Sequence, residues 1–452
     1  YGWKTWGGPV PNFGGSPGAW FFVVDESCLR HVLRDNFTNF EKSTNGTGFK
    51  VLYGELLGNG IFATDGDQWA MHRKIASNMF SRNLLRHTAK VTLGKLVEIS
   101  DFFHDRLGKR DKSHVQKTEI DLQDLLFRMT FDTTSLVAFG CEFNSIWRET
   151  QHPFAVAFDE MQMLITERIL DPLFLIKRYF HLGAREQRIF QLKNILDGHA
   201  QSYIASKRRS AEEGSGLGPD ILSRFLAHSK KTGEPISNTD LRDVVMNILL
   251  AGRDTTACAL SWTFWELTKH PQIVDQVIEE IKTACGNSGC NNDSALDYSF
   301  DTISKLRYTH AVVLEALRLH PSVTNDHKYA IKDDILPDGT HIPAGSAVGY
   351  MPYAMGRCEK IWGKDALDFR PERFLEDDGG LKKEPSQFKY PVFNAGPRLC
   401  LGKPLALTTM KLTLAYLLPR FKFADKYGHD GTYKWSMVRA MKGGFNVDVS
   451  YR

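Results

Sequence analysis

The sequence predicts a mostly helical protein with small β-sheets. Apolar residues recur at spacings of three and four over several long segments, the pattern of a helix with one buried face. Runs of β-branched or aromatic residues of strand length are few and short. Along the chain, the first strand signal is Phe21 to Val24. Helical spacing then covers Leu84 to Leu107, Ile120 to Phe139, Pro153 to Ile165 and Glu186 to Ser210. A long helix from Leu241 to Lys269 stops at His270-Pro271, because proline disfavours the helical conformation in the residue before it. Val274 to Ala284 follows, and Leu306 to Leu319 closes at Pro321. His341 to Val348 reads as a second strand, Leu405 to Leu418 as an apolar helix and Phe445 to Val449 as a last strand.

A chain of 452 residues is long for one domain. No linker supports a split, because Glu212 to Gly218 and Gly286 to Asp293 are short and lie between helical segments. Residues 1–452 are therefore expected to form a single domain. With 42% hydrophobic and 12% aromatic residues, the chain can bury a sizeable core and still wrap a cofactor. Lys and Arg exceed Asp and Glu by only four, scattered along the chain, which excludes a nucleic-acid reading based on bulk charge. Seven irregularly spaced cysteines argue against a disulfide framework. Cys285 and Cys290 lack the second pair or nearby histidine of a zinc site. Asn36, Asn45 and Asn292 begin glycosylation sequons that matter only in a lumenal setting, and reducing cytosol fits better. No run approaches the ~18 apolar residues of a spanning helix.

The densest chemistry lies at 393–402, Phe-Asn-Ala-Gly-Pro-Arg-Leu-Cys-Leu-Gly. It sets Cys400 on a turn punctuated by Gly396, Pro397 and Gly402, directly ahead of an apolar helix. A sulfur there faces unpaired backbone N–H groups and the positive end of the helix dipole, which favours thiolate. A cysteine thiolate that ligates haem iron pushes electron density toward O–O cleavage. A lone buried cysteine usually acts as a small hydrophobe. Here five spaced residues, Phe393, Gly396, Arg398, Cys400 and Gly402, decide against that reading.

Those five resemble the haem-binding signature of the cytochrome P-450 superfamily of haem-thiolate monooxygenases. Ala251-Gly252-Arg253-Asp254-Thr255-Thr256 resembles its oxygen-activating helix, Glu315-Ala316-Leu317-Arg318 its Glu-x-x-Arg motif and Pro371-Glu372-Arg373-Phe374 the downstream partner. Trp69 and Arg73 fit a Trp-x-x-x-Arg on an earlier helix. The resemblance runs in family order from Tyr1 to Arg452. It implies the cytochrome P-450 fold, with haem b between the oxygen-activating helix and the cysteine loop, and Cys400 as iron ligand. Segments 58–69, 125–132, 220–225, 353–357 and 361–364 resemble the eukaryotic fatty-acid omega-hydroxylase branch.

By this resemblance, Thr255 positions a proton donor at the oxygen site and Asp254 relays protons from solvent. A mid-helix threonine also back-bonds to the carbonyl four residues earlier, here Ala251, and Gly252 leaves space for a groove beside it. Glu315, Arg318 and Arg373 are expected to brace the cysteine loop. Arg398, Trp69, Arg73 and His327 are the expected partners of the haem propionates. Lys403, Lys411 and Lys74 would offer a basic patch to an acidic flavoprotein. Phe62, Leu250, Ala251, Thr255, Val323 and Met437 are the expected substrate contacts.

The expected reaction inserts one oxygen of O2 into an aliphatic C–H bond, with electrons from NADPH through the NADPH–cytochrome P-450 reductase. A long-chain fatty acid attacked at or near its terminal carbon is the expected substrate. A sterol or other bulky apolar substrate is the alternative, as are a reductase-independent isomerase or peroxygenase and a non-catalytic haem sensor. The intact Asp254-Thr255 pair argues against the last three. Eukaryotic relatives usually carry an N-terminal membrane anchor, whereas this sequence opens at Tyr1-Gly2-Trp3. The resemblance thus implies the cytosolic face of the endoplasmic reticulum membrane, with the anchor missing from the given sequence.

Overall fold

The computed structural model describes residues 5–8, 19–43, 48–77, 80–108, 116–212, 218, 220–233, 235–286 and 296–452. Tyr1 to Trp3, Cys290, the sequons at Asn45 and Asn292, and most of the two expected loops, 212–218 and 286–293, lie outside the described residues. Its longer helices are α1 (Phe49–Leu57), α2 (Gly66–Ser77), α3 (Arg82–Leu107), α4 (Leu122–Phe139), α5 (Pro153–Glu167), α6 (Gly183–Glu212), α7 (Ile221–Thr232), α8 (Asn238–Leu249), α9 (Thr255–Lys269), α10 (Pro271–Cys285), α11 (Tyr308–Leu319) and α12 (Lys403–Leu417). The strands are β1 (Thr5–Gly8), β2 (Trp20–Val23), β3 (Phe40–Glu41), β4 (Thr118–Asp121), β5 (Asp326–Ala330), β6 (Asp334–Ile335), β7 (His341–Ile342), β8 (Ala347–Tyr350), β9 (Phe421–Asp425) and β10 (Asn446–Tyr451). The fold is mostly helical with small sheets, as the periodicity predicts.

One sheet has the order β1-β2-β8-β5-β3, with β2 and β8 parallel, and another the order β4-β10-β9. The expected strand His341 to Val348 is broken in two. Pro343 and Gly345, at φ +79°, turn the chain between β7 and β8. The expected helix Leu241 to Lys269 is likewise not uniform. Its start is fixed by a capping box in which Ser237 and Asp240 satisfy each other's backbone N–H groups. Between α8 and α9, Leu250–Asp254 forms a π-helical turn while the backbone stays right-handed on both sides. Such widened turns recur at functional sites.

The main core gathers where α12 packs on α3, α9 and α11. Leu412, Leu414 and Leu417 of α12 are fully buried, each stabilising the fold by about 1.5–3 kcal/mol. This packing sets the N-terminal ends of α9, which carries Thr255, and of α12, which follows Cys400.

Candidate active site

The loop before α12 is shaped residue by residue. Gly396 has φ +63°, and a Cβ there would come within 2.0 Å of the Leu33 carbonyl oxygen, so this position demands glycine. The Cys400 N–H donates to the Phe393 carbonyl at 2.8 Å and closes the loop. Burial raises the Cys400 thiol pKa, while the N–H groups of Gly402 and Lys403 and the Arg73 guanidinium pull it down. Cys400 is nevertheless accessible to water. The sequence placed a thiolate-favouring helix start here, and the structure supplies those N–H groups.

Across the core, the Thr255 hydroxyl donates to the Ala251 carbonyl at 2.6 Å, the back-bond expected of it. The space beside Gly252 is not an open groove. A Cβ there would meet the Thr134 side chain at 2.8 Å, so this glycine lets α4 approach. Within the π turn, Ala251 is exposed in mid-helix. Asp254 is buried, accepting from Gln162 Nε2 at 2.7 Å and from Arg253 Nη1 at 2.8 Å. Burial raises its pKa to about 7 despite the pull of Arg253. Arg253 also grips Asp159, whose side chain is 40% exposed. Arg253 thus hydrogen-bonds buried Asp254 on one side and part-exposed Asp159 of α5 on the other.

Two segments are stapled to one stretch of helix by three bonds. Ser322 Oγ donates to the Thr255 carbonyl at 2.6 Å, the Arg439 N–H to the Ser322 carbonyl at 2.9 Å, and Trp262 Nε1 to the Arg439 carbonyl at 2.7 Å. Sequence reasoning missed Ser322, since nothing local marks a serine whose partner lies 67 residues away. Its bond seats Val323, 40% exposed, beside Thr255. Of the expected substrate contacts, Ala251 and Val323 thus offer accessible apolar surface, while Phe62 and Met437 pack partly buried against an apolar cluster. Leu250 does not fit that list. It is 7% exposed inside the same cluster, because the turn directs Ala251 outward in its place.

On the opposite edge, Arg398 stacks over Trp69 at 4.6 Å and donates to the Thr64 carbonyl at 2.9 Å and to Asp65 at 2.5 Å. Its Nε is buried without a partner among the described residues. Arg73 lies close enough to lower the Arg398 pKa after burial has done so, and the charge acting on Arg73 itself is the Cys400 sulfur. His327 reaches this cluster through its backbone N–H, which donates to Asp326 at 2.9 Å, rather than through its ring. Alternation along β5 puts it on the face opposite Asp326 and Lys328, between Trp20 and Tyr329. Lys328 shares the face of Asp326. It is 1% exposed, burial lowers its pKa to about 7, and its Nζ reaches Asp326 at 3.2 Å. Lys42, Arg73 and Arg398 match Glu41, Asp65 and Asp326 in number, and Lys328, with its pKa near 7, adds a part-charged fourth cation. The orphaned Arg398 guanidinium N–H, with Arg73 close by, fits a group bearing carboxylates, as haem b does.

Glu315 and Arg318, both fully buried, pair at 2.7 and 2.8 Å. Arg373 Nε donates to Glu315 at 3.3 Å and the Arg370 N–H at 2.9 Å, while Arg318 also caps the carbonyls of Gly356, Ala366 and Asp368. These extra bonds are what a buried ion pair needs. Tyr390 then ties the approach to the cysteine loop to the Leu314 carbonyl at 2.6 Å. The expected basic patch is not assembled as foreseen. Lys411 is buried, its ammonium capping the Ile303 and Ser304 carbonyls, and Lys403 is paired with Glu384. Lys74 alone of the three is exposed and unpaired among the described residues.

The family model for cytochrome P450 matches residues 4–438. Cytochrome P450 94A2 of Vicia sativa is 35% identical over 95% of this chain and 82% of its own length. Cytochrome P450 CYP94D109 of Paris polyphylla is 37% identical over 93% and 83%, and cytochrome P450 86B1 of Arabidopsis thaliana 36% over 96% and 79%. With a helical fold of this kind, a cysteine loop at the start of α12 and a family match over nearly its whole length, the chain belongs to the cytochrome P450 family and is a haem b-dependent monooxygenase.

Proposed function

We propose that residues 1–452 form one domain that hydroxylates a long-chain fatty acid at or near its terminal carbon, with electrons from NADPH through a flavoprotein reductase. The observation that carries this is the pairing of Cys400 and Thr255 at the N-terminal ends of two packed helices, with Ala251 and Val323 as apolar surface beside the threonine. The resemblance of segments 58–69, 125–132 and 353–357 to fatty-acid omega-hydroxylases supports the substrate class.

Haem held by Cys400 supplies O2 activation and C–H oxidation. Arg398, Lys328, Arg73 and Trp69 would hold its propionates. The Thr255 hydroxyl, set in a loosened turn, positions the proton donor, and Asp254, poised near neutral pH, takes protons from the Arg253–Asp159 side. A terminal methyl has the strongest C–H bonds of an acyl chain. Selectivity for it must therefore come from orientation, with Val323 and Ala251 holding the chain end.

Among the described residues no helix is long and apolar enough to cross a membrane. Leu173, Ile176, Tyr179, Phe180 and Leu182 are each more than half exposed on one stretch of surface, which supports contact of that side with a bilayer. Exposed Lys74, Arg82, Arg86 and Lys90 support reductase docking at the α2–α3 edge, with Arg82 and Arg86 sharing Asp301. This reading places the protein at the cytosolic face of the endoplasmic reticulum. Reconstitution with NADPH, reductase and saturated C12–C18 acids tests it. Terminal or near-terminal hydroxy acids are expected. No fatty-acid product alongside turnover of a sterol would overturn the substrate class.

A further inference from the structure

One residue of the cysteine loop makes contacts that the haem signature does not require. Asn394 has φ +63° and ψ −172°, a strained backbone region that glycine enters far more readily than a residue with a side chain. Its Oδ1 accepts from the Ala395 N–H at 2.8 Å and lies 2.9 Å from the Tyr350 hydroxyl. Its Nδ2 donates to Asp326 at 3.3 Å. The Tyr350 hydroxyl also lies 3.2 Å from Asp326, so its one hydrogen is shared between the two acceptors.

Asp326 is a hub. Lys42 Nζ donates to it at 2.9 Å, Lys328 Nζ at 3.2 Å and the His327 N–H at 2.9 Å. Burial opposes its charge, but Lys328 and Lys42 outweigh burial and hold the carboxyl well below the usual range. The Lys42 N–H in turn donates to Asp65, which holds Arg398. Asn394 therefore joins the cysteine loop to the cation cluster by side-chain bonds. Its own peptide bond matters as well. The carbonyl of the Phe393–Asn394 peptide is the one that accepts the Cys400 N–H at 2.8 Å. Fixing the Asn394 side chain fixes that peptide plane, and with it the point from which Cys400 hangs.

We infer that Asn394, clamped by Tyr350 and Asp326, is a positioning residue that locks the Cys400 loop to the Arg398–Lys328–Lys42 cluster and so sets how the sulfur meets the haem. It acts through the loop and touches no reacting atom.

The inference rests on Cys400 being the thiolate ligand, and the test separates the two. Asn394→Gly keeps the backbone angle and removes the clamp. Tyr350→Phe removes the clamp from the other side. Gln387→Ala is the control, because Gln387 accepts the Gly396 N–H at 3.0 Å yet has no bond to Asp326. The readouts are the ratio of thiolate-ligated to thiolate-free species in the ferrous–CO spectrum, at equal haem loading, and the melting temperature. Loss of one hydrogen bond to a charged group shifts such a ratio about tenfold.

Asn394→Gly and Tyr350→Phe are each expected to give that shift, and the double variant no more than the larger single. Gln387→Ala is expected to lower the melting temperature alone. If Asn394→Gly loses haem outright, Tyr350→Phe decides. Additive singles, or variants that change stability without the ratio, overturn the inference. A wild-type spectrum with no thiolate signature would instead overturn the assignment of Cys400.

Discussion

Asp254→Asn should make the protein more stable at alkaline pH while disabling it. In the fold this carboxyl has a pKa raised to about 7 by burial, against 3.8 for an unperturbed one. The folded protein thus binds the proton more tightly than the unfolded chain. The sign follows: stability is unaffected below about pH 4, falls as pH rises through the window up to about 7, and stays low above it. Between pH 5 and 8 the remaining two units amount to roughly 3 kcal/mol. For 452 residues the unfolding entropy is roughly 1 kcal/mol per degree, so the shift is about 3 °C. Asparagine lacks this slope, and it fits locally. Gln162 Oε1 is buried without a partner, so the Gln162 amide can flip and accept from the new Nδ2 while Arg253 keeps an acceptor. Melting temperature against pH for both proteins is the assay, with the advantage of Asp254→Asn growing by about 3 °C from pH 5 to 8. Coupled turnover should meanwhile fall by about 10²–10⁴-fold, the usual weight of a general acid. Parallel melting curves, or a variant that loses ground at pH 8, would refute the assignment of a buried, proton-holding Asp254.

Glu315→Gln leaves Arg318 without its carboxylate and Arg373 with Asp365 alone, and should cost about 3–5 kcal/mol, read as a drop of about 3–5 °C in melting temperature; Arg82→Gln, an exposed pair, should change it by less than about 1 °C. Lys328→Met should weaken haem retention about tenfold through loss of a charge-assisted contact, whereas His327→Leu should leave it unchanged. Equal effects at 327 and 328 would contradict the face assignment of β5. Ser322→Ala removes the tie to the Thr255 carbonyl, costing about 1 kcal/mol. It should spread hydroxylation from the terminal carbon to inner ones and raise the peroxide formed per NADPH, with Ser322→Thr restoring both. Product analysis by mass spectrometry checks this, and an unchanged product pattern would count against it.

Long helices were legible because a buried face imposes its period on many residues, and α3, α4 and α11 fall close to where that period places them. The cysteine loop was legible because its geometry needs particular residue types, as Gly396 against the Leu33 carbonyl illustrates. So was the Thr255 back-bond, a property of a threonine on a helix. What escaped was long-range. Strand β5 reads Asp-His-Lys-Tyr-Ala, too polar to announce itself, so the alternation that separates His327 from Lys328 went unseen. Lys411 sits on a helix face that an isolated reading leaves free, yet its ammonium caps carbonyls 108 and 107 residues away. The π turn has no signature in apolar spacing, since its flanking helices keep the same direction. Ser322 and Asn394 are ordinary loop residues until the fold brings Thr255 and Asp326 beside them.

The central claim, a thiolate from Cys400 on haem iron, is tested most directly by the difference spectrum of the dithionite-reduced protein with and without carbon monoxide. A Soret band shifted far to the red, and lost in Cys400→Ala, is the predicted result. A band typical of histidine-ligated haem, or a spectrum that Cys400→Ala leaves unchanged, would contradict the account.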